Sequence, residues 1–185
     1  GRLNADPTRP VPDQVLLNDG TGKVPDATAT WLPTASADAG NTVANALVDV
    51  TGDNKLDLLV LHAERRSRLY VNTGSKFDPA SPALGAINAP NNVSALDVDN
   101  DGDSDFLVTS FADSLARPAL LINSKDGFFM PKRTGRLEAG GNAVVLTDFN
   151  RDGATDIVVG RSTEAGKPGP GTIEGFANDN FGRFD

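Results

Sequence analysis

The chain has 185 residues, no cysteine, and 25 acidic against 17 basic residues, for a net charge of −8. That length suits one domain with a sizeable core, the lack of cysteine removes disulfides, zinc thiolates and cysteine nucleophiles, and the acidic excess argues against a nucleic-acid surface. Hydrophobic residues, 38% of the chain, fall in short runs such as Leu58-Leu59-Val60-Leu61, well under the roughly 18 apolar residues a membrane helix needs.

In chain order, the segment Gly1–Pro10 aligns with Thr109–Pro118, which follows a strand-like run later on, so the chain is predicted to open partway through a repeating unit. Leu16-Leu17-Asn18-Asp19-Gly20 then reads as an apolar strand ending at Asn in a turn, and residues 1–40 are assigned to the end of one unit. A full unit follows over 41–90. Ala46-Leu47-Val48 and Leu58-Leu59-Val60 are apolar strands flanking an aspartate-rich loop, Arg65-Arg66-Ser67-Arg68 is a solvated hairpin tip, and Tyr70-Val71-Asn72-Thr73-Gly74 repeats the Asn turn.

The same order returns over 91–140, from Ala95 through Val108 to Leu121-Ile122-Asn123-Ser124-Lys125. It returns again over 141–185, from Leu146 through Val159 and a hairpin tip at Lys167-Pro168-Gly169-Pro170-Gly171 to Gly175-Phe176-Ala177-Asn178-Asp179. The first aspartates of the three loops, Asp49, Asp97 and Asp148, are 48 and 51 residues apart. That period matches a four-stranded propeller blade.

The predicted fold is therefore all-β, with almost no helix: a β-propeller of four-stranded antiparallel blades, about three and a half of them, half of a possible seven-bladed ring. A half ring exposes sheet faces and open edges, which proteins avoid. The ring is expected to be completed by a second copy or by missing parts of a longer chain.

The loops carry the chemistry. Counting from the first aspartate, the second loop places Asp97, Asp99, Asp101 and Asp105 at positions 1, 3, 5 and 9, with the backbone carbonyl of Asp103 at position 7. Such an all-oxygen shell suits a hard cation of flexible coordination, Ca²⁺ above all, and Gly102 permits the tight wrap. The third loop offers Asp148, Asn150, Asp152 and Asp156 with the carbonyl of Ala154. The first offers Asp49, Thr51, Asp53 and Asp57 with the carbonyl of Lys55. It has fewer carboxylates, a lysine, and Asn54 in place of glycine, so it is expected to bind most weakly.

An Asp-Gly loop between apolar strands is also an ordinary hairpin turn. Recurrence of acid at positions 1, 5 and 9 in all three copies favours the metal, because a turn by itself calls for no acid at position 9. An EF-hand would need glutamate at position 12, where Val60, Val108 and Val159 stand inside apolar strands, so that reading fails.

The pattern Asp-hydrophobic-Asp/Asn/Thr-x-Asp-Gly-x-x-Asp-hydrophobic-hydrophobic-Val resembles the FG-GAP/VCBS repeats of integrin-like propellers. The resemblance implies that each loop joins the first two strands of a blade and binds Ca²⁺, about three ions in all. It also implies an extracellular, periplasmic or cell-surface module for adhesion, protein or glycan interaction, or assembly.

No catalytic constellation accompanies it. His62 is the sole histidine and reads as an ordinary strand-end residue, while Trp31 and Tyr70 read as blade core rather than a sugar platform. The chain is accordingly read as non-enzymatic. The alternatives are the non-catalytic propeller portion of a secreted enzyme, or a propeller lectin.

Overall fold

The computed structural model describes residues 12–33, 40–63, 66–80, 84, 87, 90–110, 119–124, 129–132, 143–161 and 171–185. Within them the chain is almost entirely β, the exception being one helical turn, α1 (Thr28–Trp31). The first sheet has the order β1 (Thr42–Val48), β2 (Asp57–His62), β3 (Arg68–Asn72) and β4 (Phe77–Pro79). The second repeats it with β5 (Pro90–Leu96), β6 (Asp105–Ser110), β7 (Ala119–Asn123) and β8 (Phe129–Lys132). The third contains β9 (Ala143–Thr147), β10 (Asp156–Arg161) and β11 (Thr172–Phe176). All neighbours are antiparallel.

The second strand of each sheet is a continuous apolar run because both of its faces are covered. Leu59 and Leu61 of β2 meet Phe106 and Val108 of β6 in one core, which Val50 and Leu121 join. Leu107 of β6 points the other way, with Leu96 and Leu120, and meets Ile157, Val159, Phe176 and Phe184 in a second. Successive sheets thus stack face to face as propeller blades. Truncating a ring such as Phe106, fully buried between two sheets, would cost about 3–5 kcal/mol.

The fourth strand of the third blade is reduced to a short return. Asn178 bridges to Phe184, and Ala177 and Asp185 exchange backbone hydrogen bonds of 3.2 and 3.1 Å. The pairing matches that of the first two blades, where Asn72 faces Phe77 and Asn123 faces Phe129.

Ahead of the first blade lies a hairpin in which Leu16 bridges to Asp26. Val15, Trp31 and Leu32 pack it onto Leu58, Val60, Tyr70 and Phe77, and the Trp31 and Phe77 ring centroids are 5.7 Å apart. The described residues thus give three propeller-like sheets, with this hairpin packed on the outer side of the first. Tyr70 and Trp31 serve the core, as anticipated. His62 ends β2 but is fully buried, its Nδ1 3.3 Å from the Arg66 carbonyl and its ring directly over Gly40. The alignment of Gly1–Pro10, residue Arg65 of the basic tip and the tip at Lys167–Pro170 lie outside the described residues.

Candidate metal centre

Each aspartate loop is wound around its first carboxylate. Asp49 accepts backbone N–H bonds from Gly52 (2.8 Å) and Asn54 (2.7 Å), Asp97 from Asp101 (3.1 Å) and Gly102 (2.9 Å), and Asp148 from Arg151 (2.6 Å) and Gly153 (3.0 Å). To aim successive amides inward, the backbone takes the left-handed conformation twice, at positions 4 and 6. The pairs are Gly52 and Asn54 (φ 74° and 63°), Asn100 and Gly102 (57° and 91°), and Arg151 and Gly153 (66° and 90°). The first loop thus has its glycine at position 4 rather than 6, and Asn54 takes the left-handed conformation that asparagine tolerates.

Position 9 has a duty that sequence reasoning missed. The buried carboxylates of Asp57, Asp105 and Asp156 each accept the amide of loop position 2, from Val50 (3.0 Å), Val98 (2.9 Å) and Phe149 (3.0 Å). Their other oxygen accepts the backbone amide of the Asn that ends the third strand, Asn72 (2.8 Å), Asn123 (2.7 Å) and Asn178 (2.8 Å). An acid at position 9 therefore ties loop to hairpin without any ion. Its recurrence says less about metal than the sequence argument supposed.

The second loop does gather carboxylate oxygen. Asp97, Asp99 and Asp105 each bring a carboxylate oxygen within 4.8 Å of the others, the one such group among the described residues. Asp99 Oδ1 is buried and has no hydrogen-bond partner. A buried carboxylate oxygen left in that state is costly unless something cationic meets it.

The FG-GAP-like repeat matches residues 49–108 and again 97–159, together more than half of the chain. The chain belongs to the FG-GAP-like repeat family. No curated protein matches the chain. The two matched spans run from one aspartate loop through the next, so the FG-GAP unit contains both the loop and the inter-blade contact that follows it.

The three FG-GAP loops differ in their electrostatics. In the second, burial raises the Asp105 carboxyl from its ordinary 3.8 to about 6, against the amides of Asn123 and Val98 that pull it down. Asp99 is raised as well, by burial first and then by the charge of Asp101. These residues fit a divalent ion bound through oxygen. In the first loop Lys55 Nζ lies 2.5 Å from Asp53 Oδ2, and its hydrogen bond holds the Asp53 carboxyl below the usual range. Thr51 Oγ1 reaches Asp57 at 3.4 Å. In the third, Asn150 and Asp152 satisfy each other, Nδ2 to Oδ2 at 2.8 Å, while Asp152 Oδ1 accepts the Ala154 amide at 2.8 Å. Asp101 accepts the Asp103 amide at 3.0 Å in the equivalent place.

Proposed function

We propose that this propeller is a non-enzymatic extracellular or cell-surface interaction module whose loops hold structural Ca²⁺. FG-GAP repeats are propeller-forming, are usual in extracellular proteins and typically mediate protein interactions. Among the described residues no helix is long and apolar enough to cross a membrane. The surface of the blades is the seat of binding to a protein or glycan partner.

The observation that carries the metal reading is the second loop. Carboxylate oxygens of Asp97, Asp99 and Asp105 converge there, and half-buried Asp99 has an oxygen, Oδ1, that is out of solvent and lacks any donor. Asp97, Asp99, Asp101 and Asp105 with the Asp103 carbonyl would hold the ion, which supplies the missing positive charge. The third loop, with Asp148, Asn150, Asp152, Asp156 and the Ala154 carbonyl, is the second-best host. The first is the weakest, since Lys55 already neutralises Asp53. An ion bound only to the folded state stabilises it by about 2.7 kcal/mol at 100-fold saturation.

Thermal unfolding of the chain in calcium, in a chelator, and in a chelator followed by excess calcium tests this reading. A melting temperature that falls with the chelator and returns with calcium supports it. One that never moves removes the ion from the account, while leaving the propeller in place.

A further inference from the structure

Asn178 touches two aspartate loops at once. Its Nδ2 donates to the Val98 carbonyl in the second loop (2.8 Å) and to the Thr155 carbonyl in the third (3.2 Å), while its backbone N–H bonds to the ninth-position carboxylate of Asp156 (2.8 Å). Its Oδ1 accepts the Gly182 amide at 3.1 Å, and the residue is only 3% exposed. A buried amide engaged through both its nitrogen and its oxygen resists displacement, because letting go of either loop leaves a polar group unmet.

The contact in the second loop falls between two proposed ligands. Val98 stands between Asp97 and Asp99, with its amide held by Asp105, its carbonyl by Asn178 and its side chain by the core it shares with Ile157, Phe176 and Phe184. The return after Asn178 closes over it, since a Cβ on Gly182 would lie 3.2 Å from Val98 Cγ1. Fixing Asp97 and Asp99 therefore fixes the Val98 peptide, and through it the side chain of Asn178. At its other end Asn178 sets the last two positions of the third loop, Thr155 and the ligand Asp156. Asn123 makes the corresponding reach from the second loop to the first, donating to Val50 while it holds Asp105. Asn72 turns its Nδ2 to Leu56 in its own loop.

We infer, on the reading that the loops hold Ca²⁺, that Asn178 is a positioning residue that couples the second and third loops, so that filling one raises the calcium affinity of the other. The entropy of ordering Val98, Asn178 and Asp156 is then met once for two ions. That gives positive cooperativity with no change of fold. A coupling of ordinary size alters affinity by about fivefold or more, and by linkage it acts equally in both directions.

Calcium titration of the isotope-labelled chain, followed by NMR, tests this. Gly102 and Gly153 report the two loops separately, since their amides bond to the first carboxylates, Asp97 and Asp148. Asp101→Ala removes a carboxylate from the second loop alone, yet it should weaken calcium binding at Gly153 by about fivefold or more. Asp152→Ala, in the third loop, should weaken binding at Gly102 by the same factor. Asn178→Ala should abolish both effects. A measurement that leaves Asn178 in place serves alongside it: in Asp152→Ala, exchange of the Asn178 side-chain amide protons should slow as the second loop fills. A Gly153 midpoint indifferent to Asp101→Ala would overturn the coupling and leave the calcium reading intact. A coupling that survives Asn178→Ala, or side-chain exchange that ignores calcium, would overturn the part given to Asn178. Glycine amides that both ignore calcium would remove the calcium reading and the coupling together.

Discussion

The side-chain amide of Asn123 donates to the backbone carbonyl of Val50, 2.9 Å away and 73 residues earlier in the chain. Asn178 does the same to Val98 at 2.8 Å. Because Asn123 and Asn178 also give their backbone amides to Asp105 and Asp156, and those carboxylates hold the Val98 and Phe149 amides, one hydrogen-bonded path runs from Asp57 through all three loops.

Cutting that path should cost stability in proportion to burial. Asn123→Ala strands the buried Val50 carbonyl, and urea unfolding should record a loss of about 1–3 kcal/mol. Asn72→Ala removes a bond to the exposed Leu56 carbonyl and should cost less than about 1 kcal/mol, since water replaces it. Equal losses would show that burial of the acceptor is not what matters.

The loops should respond to backbone substitutions by sign. Gly102 has φ 91° with open space around its missing side chain, so Gly102→Ala should destabilise by about 1–2 kcal/mol through backbone strain alone. Arg151 holds φ 66° as an ordinary residue, so Arg151→Gly should stabilise by roughly 0.5–1 kcal/mol after glycine's entropy is counted. Thermal melts of the two variants check both.

Stability without metal should fall as pH rises. The Asp105 carboxyl titrates near 6 in the fold against an ordinary 3.8, so the folded chain binds the extra proton between those values. The contribution of this group is whole below 3.8 and lost once pH passes about 6. The melting temperature of the chelated chain should therefore decline from about pH 4 to about pH 7 more steeply than that of Asp105→Asn. Calcium affinity at the second loop should show the reverse trend, weakening by about tenfold per pH unit below the titration point. Carboxyl titration by NMR identifies the group.

The first loop should become a better calcium host when its lysine is removed. Lys55→Ala frees Asp53 Oδ2 and takes a positive charge out of the loop, so calorimetric titration should find tighter binding at that site and none of the change at the second. Unaltered affinity would mean that Lys55 swings aside at no cost.

The repeated strand order and the scarcity of helix among the described residues were legible in the sequence because the repeat is carried by local patterns. Apolar runs, Asp-Gly turns and the 48 and 51 residue spacing all lie within reach of one another along the chain. The work of the Asn residues was not legible, although Asn72, Asn123 and Asn178 were visible as turn markers. Val50 and Val98, the partners of Asn123 and Asn178, are supplied by the preceding blade, and no local pattern encodes a contact of that range. The second left-handed position was hidden in the third loop for another reason: Arg151 is a residue whose identity gives little warning of positive φ, whereas Asn100 in the second loop is of a type that tolerates it. Position 9 was seen but assigned to metal alone, because its second employment depends on strands that only tertiary structure brings beside it.

The clamp between Asp57 and Asn72 spans 15 residues, that between Asp105 and Asn123 spans 18, and that between Asp156 and Asn178 spans 22. The anchoring geometry is nevertheless the same three times, so whatever lies between the anchors is free to lengthen without loosening its own foundations. Loop length there becomes a cheap variable for natural variation or grafting, and each blade offers one such rim on which a new recognition surface can grow.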